Sequence, residues 1–158
     1  ELAQTSPLIV RARIGQLQPA YNKPQRSIAT LVEVQVTDVI KGDTSSGSTL
    51  MVRTQGGTVG KLTATVAGAA LFTPGEDVLL FLEPARDTAG IWLVSSMAAG
   101  KVTFVPDAAG NLRAKRDTRG LAFYEHTTTA PAIRRLERIE DLGTPEQLIG
   151  RLRKAVTP

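Results

Sequence analysis

A chain of 158 residues, 42% hydrophobic and 22% charged, can bury roughly 70% of the surface its unfolded form exposes, and it lacks the low-hydrophobicity, high-charge signature of disorder. No run approaches the ~18 apolar residues of a membrane-spanning helix, and the absence of cysteine excludes disulfides, thiolate nucleophiles and Cys-ligated metal sites. The net charge of +4 is confined to the end of the chain: residues 1–112 hold nine Lys/Arg and nine Asp/Glu, residues 113–158 ten against six. That asymmetry permits an anionic partner without requiring one.

The chain begins at Glu1 rather than methionine. This reads as an upstream segment removed either by a signal peptidase or artificially; the first reading is favoured and sets an extracytoplasmic address, periplasmic or secreted, as the expectation. Leu8 to Gly15 alternates, with Arg11 and Arg13 opposite Val10, Ala12 and Ile14, and predicts a first strand. Gln16 to Gln25, with Pro19, Tyr21, Asn22 and Pro24, has turn composition and predicts a loop long enough to be mobile. From Ile28 to Ile40, Val32, Val34 and Val36 alternate with Glu33, Gln35 and Thr37. A strand of that length spans roughly 40 Å, too long for a flat small sheet, so it must coil or bend, and a small barrel is its natural host.

After the polar connection Gly42 to Ser48, Thr49 to Gln55 predicts the return strand of a hairpin. Gly56-Gly57 then marks a bulge or barrel corner, with alternation resuming over Leu62 to Val66. Pro74 to Asp77 reads as a turn, and the uniformly apolar Val78 to Leu82 predicts the most deeply buried strand. Ile91 to Val94 follows as a strand, then Lys101 to Val105 and Asn111 to Ala114 as a second hairpin. Ile133, Leu136, Ile139 and Leu142, recurring every third residue after Pro131, predict a helix closed by Gly143. Thr144-Pro145-Glu146-Gln147 is a capping box with proline at the first helical position, and Leu148, Ile149, Leu152 and Val156 continue it as a C-terminal helix. The fold class expected is all-β, an OB-like or related small β-barrel of about eight short strands over residues 1–143, with the helix 144–158 packed on the same single domain.

Motifs that carry chemistry are few. Gln55 to Leu62 resembles a phosphate-binding loop only superficially, since glycine is missing at Gln55 and Ser/Thr at Leu62. His126 is the only histidine, so a single chain cannot supply two imidazoles to a metal. Without a G-x-S-x-G nucleophile motif it reads as an exposed or hydrogen-bonded loop residue. Neither Glu76-Asp77 nor Glu140-Asp141 has a spacing that specifies glycosidase or two-metal chemistry. The best binding candidates are the basic segment Arg113, Lys115, Arg116 and Arg119, together with Tyr21 and Trp92. On an OB-type barrel such a cationic and aromatic face can hold single-stranded nucleic acid, but aromatics are only 4% of the chain. Trp92 is either an exposed platform or, given its apolar neighbours, a residue that fills the barrel.

The opening strand Leu8 to Ile14, the long strand ending Val39-Ile40-Lys41-Gly42, then Gln55-Gly56-Gly57, then Phe72 to Leu82, and Gly100-Lys101-Val102 together resemble a family of uncharacterised bacterial exported proteins. Their order is also distantly similar to netrin-type and tissue-inhibitor-of-metalloproteinase-like modules. The resemblance implies an OB-type barrel with helices at its side and an exported address. It implies no activity, because those inhibitors chelate a protease metal through an N-terminal cysteine and this chain has Glu1 and no cysteine. The expected function is a non-enzymatic exported binding or interaction module with no cofactor and with another protein as partner. The alternative is an electrostatic binder of an anionic polymer, nucleic acid or polysaccharide, through Arg113–Arg119. A hydrolase of undefined class comes third.

Overall fold

The computed structural model describes residues 2–24, 26–118, 122–126, 131–135 and 139–157, the stretches 122–126 and 131–135 by backbone alone. In chain order it runs α1 (Leu2–Thr5), β1 (Leu8–Asn22), β2 (Ser27–Lys41), β3 (Thr49–Gln55), β4 (Gly57–Val59), β5 (Leu62–Ala64), β6 (Asp77–Pro84) and β7 (Ile91–Val94). A 3₁₀ turn (Met97–Gly100) leads into β8 (Lys101–Pro106), β9 (Leu112–Asp117), β10 (Ala122–His126), β11 (Pro131–Arg135), β12 (Ile139–Asp141) and α2 (Pro145–Val156).

The main sheet runs β1-β2-β3-β7-β6-β8-β9-β12, and a further pairing of β1 with β6 closes the first five strands into a ring. Around that ring only β3 and β7 run parallel. The fold is thus mainly β, a small barrel-like ring with a short C-terminal helix, as the alternation predicts. The long strand bends as expected: register shifts interrupt the β1–β2 ladder after Ile9, after Arg11 and between Ile14 and Leu17. Such bulges turn a strand and raise its local twist.

The apolar run of β6 has a specific cause. Val78, Leu80 and Leu82 fill the ring's interior with Val10, Val32, Val34 and Val52. Leu79 and Phe81 face the other way, into a second cluster with Ile9, Val102 and Phe104 that is covered by Leu148, Ile149 and Leu152 of α2. A strand buried on both faces loses the period-2 signal and keeps only apolar residues. Helix α2 is placed over this layer by its capping box: Gln147 N donates to Thr144 Oγ1 at 3.2 Å and Thr144 N donates to Gln147 Oε1 at 3.0 Å. At the opposite end of the chain, Ala3 of α1 joins the same layer, and Lys41 Nζ donates to the Ala3 and Gln4 carbonyls.

Two expectations are corrected. Gln16 to Asn22 is not a loop but the outer half of β1, paired with β2 out to Asn22↔Ser27. β1 leaves β6 after Arg13↔Asp77, so among the described residues no strand pairs with the other edge of β1 at Pro19, a position that tolerates its missing N–H. The expected helix after Pro131 is replaced, where residues are described, by strands: β11 (Pro131–Arg135) pairs with β10, and β12 pairs with β9 from Ile139↔Asp117 to Asp141↔Lys115, while residues 136–138 lie outside the described residues. A spacing of three drifts around a 3.6-residue helix, and an available sheet edge offers these residues full backbone pairing. Gly143, at φ 95°, turns the chain into the cap of α2 instead of closing a helix.

Candidate functional site

The paired outer halves of β1 and β2 carry the β1–β2 turn out beside the loop that joins β6 to β7. That loop is pinned at its base by Ala85 N donating to Ile91 O at 2.8 Å. Between turn and loop lies a cleft of about 510 Å³. Its floor is apolar: Ala29 and Leu31 of β2 and Ile91 of β7, all outward-facing because their neighbours Thr30, Val32 and Trp92 take the inward positions of period 2. Tyr21, 41% exposed, stands at the arm side with Lys23 and Pro24, and Thr88 stands on the loop side.

Arg53 of β3 is the charged group of this cleft. It sits opposite Leu31 on β2 and beside Leu93 on β7. Its Nη2 donates to Asp87 Oδ1 at 2.9 Å, with the guanidinium side chain 22% and the carboxylate side chain 65% exposed. Its Nε is buried without a hydrogen-bond partner. The hydrogen bond from Arg53 holds the Asp87 carboxyl below its ordinary pKa. Lys23 and Arg53 are the cations that line the cleft, and Arg53 is paired with Asp87 of the β6–β7 loop.

The predicted basic segment lies elsewhere, on β9, and the structure brings it against acids rather than leaving it open. Arg113 Nη2 and Lys115 Nζ both reach Asp141 of β12, each at 2.9 Å. Arg116 Nη1 is 4.0 Å from Glu140, and burial lowers the pKa of its guanidinium. The Asp141 carboxyl is held far below the usual range, first by the Gly143 N–H and then by Arg113 and Lys115. Arg119 lies outside the described residues, as does the side chain of His126, whose backbone ends β10. Of the helical cations, Arg153 pairs with Asp38 at 2.8 Å and Arg151 donates to the Leu142 carbonyl.

Tyr21 therefore belongs to the cleft, and Trp92 does not: it packs half-buried against the barrel interior. Gly56 and Gly57 form the expected strand corner, followed by the small β4–β5 hairpin. A Cβ on Gly57 would meet Thr30 Oγ1 at 2.5 Å, at a φ of 136°. A second cleft, of about 290 Å³, has Lys101 in its wall, but that ammonium is engaged by Glu76 Oε1 at 3.1 Å, by the Leu71 carbonyl and by the Phe72 ring at 4.8 Å. It straps the 71–76 segment to β8. Among the described residues no three His, Asp or Glu side chains come together as metal ligands.

Leu31, Arg53 and Ile91 had no signal in the sequence beyond the outward phase of their strands, and Asp87 and Thr88 none beyond the composition of a turn. Arg53 and Asp87 are 34 residues apart and meet only through the parallel β3–β7 pairing. Comparisons of the chain with protein-family models, with curated proteins and with solved structures each return no match.

Proposed function

We propose that this chain is a non-enzymatic, exported binding module that holds a segment of another protein in the cleft between the β1–β2 turn and the β6–β7 loop. The observation that carries this reading is the convergence there of an apolar floor, the aromatic Tyr21 and the cations Lys23 and Arg53. OB-type barrels bind oligonucleotides and oligosaccharides on the corresponding face, an analogy of fold that points to the face and not to the ligand. A protein segment fits better than single-stranded nucleic acid, because sequence-tolerant strand binding uses successive aromatic platforms and this cleft offers Tyr21 alone. The exported address rests on the resemblance carried by Gln55 to Gly57 and Phe72 to Leu82. The anionic-polymer reading is weakened by the engagement of Arg113 and Lys115 with Asp141.

The test is capture from the extracytoplasmic fraction of the source cells at low and high salt, with the wild type, Ile91→Glu, and a triple Arg113→Gln, Lys115→Gln, Arg116→Gln variant. A discrete protein retained at high salt, lost in Ile91→Glu and kept in the triple variant is the expected result. Polyanions captured only at low salt and lost in the triple variant would establish the electrostatic binder instead. Hydrolytic turnover that disappears on His126→Ala would overturn the non-enzymatic reading.

A further inference from the structure

We infer that the Arg53–Asp87 pair is an anion site occupied by the protein's own loop, and that a carboxylate of the bound protein segment displaces Asp87 from Arg53. This rests on the reading of the cleft as a protein-binding site and names what that site recognises.

Three observations converge. First, the guanidinium fork is only partly used: Nη2 has Asp87, while the adjacent Nε is buried and has no acceptor. A guanidinium presents Nε–H and Nη–H as parallel donors suited to both oxygens of one carboxylate. A buried donor left unmade is costly, so a ligand that fills it binds at an advantage. Second, the two partners differ in anchorage. Arg53 is mostly buried, between Leu31 and Leu93 on the sheet, whereas Asp87 is largely exposed on a surface loop. A pair with one exposed partner is weak and exchanges readily, and Arg53 itself lines the cleft. Third, Lys23 lines the same cleft as Arg53, so an incoming carboxylate meets a second cation there. The apolar floor of Leu31 and Ile91 then takes the neighbouring side chain, which makes the recognised unit an acidic residue beside an apolar one in an extended segment.

A bland alternative exists, in which Asp87 simply braces the β6–β7 loop. The two predict opposite effects of Asp87→Asn: loss of a brace weakens binding, loss of an internal competitor strengthens it.

The experiment uses a library of randomised octapeptides, acetylated and amidated so that only side chains carry charge, selected on the wild-type chain. Selected peptides are resynthesised with each Asp or Glu changed to its amide, and affinities are measured by fluorescence anisotropy on wild type, Asp87→Asn, Arg53→Gln and Ile91→Glu. Arg53→Lys, which keeps the charge without the fork, stands in if Arg53→Gln fails to fold. The expected result is a set of peptides lost in Ile91→Glu. Each contains an acidic residue whose amide form binds the wild type about tenfold or more weakly, the worth of one charge-assisted hydrogen bond. That penalty vanishes in the Arg53 variant, and the parent peptides bind Asp87→Asn more tightly than wild type. Cleft-dependent peptides with no such acid dependence, or weaker binding to Asp87→Asn, would overturn the inference and leave the binding-module reading standing. If no selected peptide is sensitive to Ile91→Glu, the cleft reading falls and the inference with it.

Discussion

Leu79 and Leu80 are sequence neighbours, both fully buried, yet the architecture assigns them to different clusters: Leu79 beneath α2, Leu80 inside the ring. Truncating either to alanine removes buried methyl groups and leaves a cavity that the surroundings only partly refill, at a cost of about 2–5 kcal/mol each. For a domain of this length that corresponds to a fall in Tm of roughly 4–20 °C. The magnitudes alone do not separate the two sites; their couplings do. Leu152 of α2 shares the cluster of Leu79 and not that of Leu80. Residues that share a cavity or contact couple by about 0.5–3 kcal/mol, whereas sites kept apart add within about 0.5 kcal/mol. Two double-mutant cycles, Leu79→Ala with Leu152→Ala and Leu80→Ala with Leu152→Ala, read by urea unfolding, therefore test the layering directly. The first should couple and the second should not. Coupling confined to the Leu80 cycle, or of equal size in both, would refute a sheet buried on two faces and with it the account of why β6 is uniformly apolar.

Other outcomes follow from local features. Gly150 lies exposed within α2 with open space around its Cα, so Gly150→Ala should raise stability by about 0.5–1 kcal/mol in urea unfolding. Thr144→Ala removes the side-chain half of the capping box and should cost about 1 kcal/mol by the same measurement. Gly57→Ala, at φ 136° and with its Cβ driven toward Thr30 Oγ1, should lower the urea midpoint more than Gly47→Ala, which also has a positive φ, of 90°, but open space around it. The Asp141 carboxyl has a lowered folded pKa, so its contribution is full above the ordinary carboxylate value of about 4 and is lost as the pH falls below it. The urea midpoints of wild type and Asp141→Asn should therefore differ by a constant amount above about pH 5 and begin to converge as the pH falls below about 4, the convergence running on through the lowered folded pKa; divergence on acidification would contradict the assignment.

What could be read from the residues alone was whatever is settled within a few positions of itself. The Thr144–Gln147 cap, the alternation of Val32, Val34 and Val36, and the Gly56-Gly57 corner all fall in this class, because each depends on backbone geometry that the neighbours dictate. The failures share one cause, which is pairing with a distant edge. Gln16 to Asn22 has the composition of a turn, and only the ladder with Ser27 to Val32 makes it a strand. The period-three run near Ile139 suggested a helix, and that error concealed the neutralisation of the basic segment. Once β12 is a strand in register with β9, Asp141 falls opposite Lys115 and within reach of Arg113; on a helix it would have had no such relation to either. Counting Lys and Arg in residues 113–158 measured the charge correctly but said nothing of where it is spent. The same holds in reverse for the cleft. Arg53 is unremarkable within Thr49 to Gln55, one polar residue on the outward phase of a strand, and Asp87 is ordinary within a turn. Their meeting depends on β7 lying parallel to β3 and on the β6–β7 loop folding back over it, a topological fact with no local trace. A candidate site assembled this way is found only by asking which charged side chain sits on a sheet face with its hydrogen-bonding capacity unfilled. Among the described residues, Arg53 Nε meets that condition and borders a cleft.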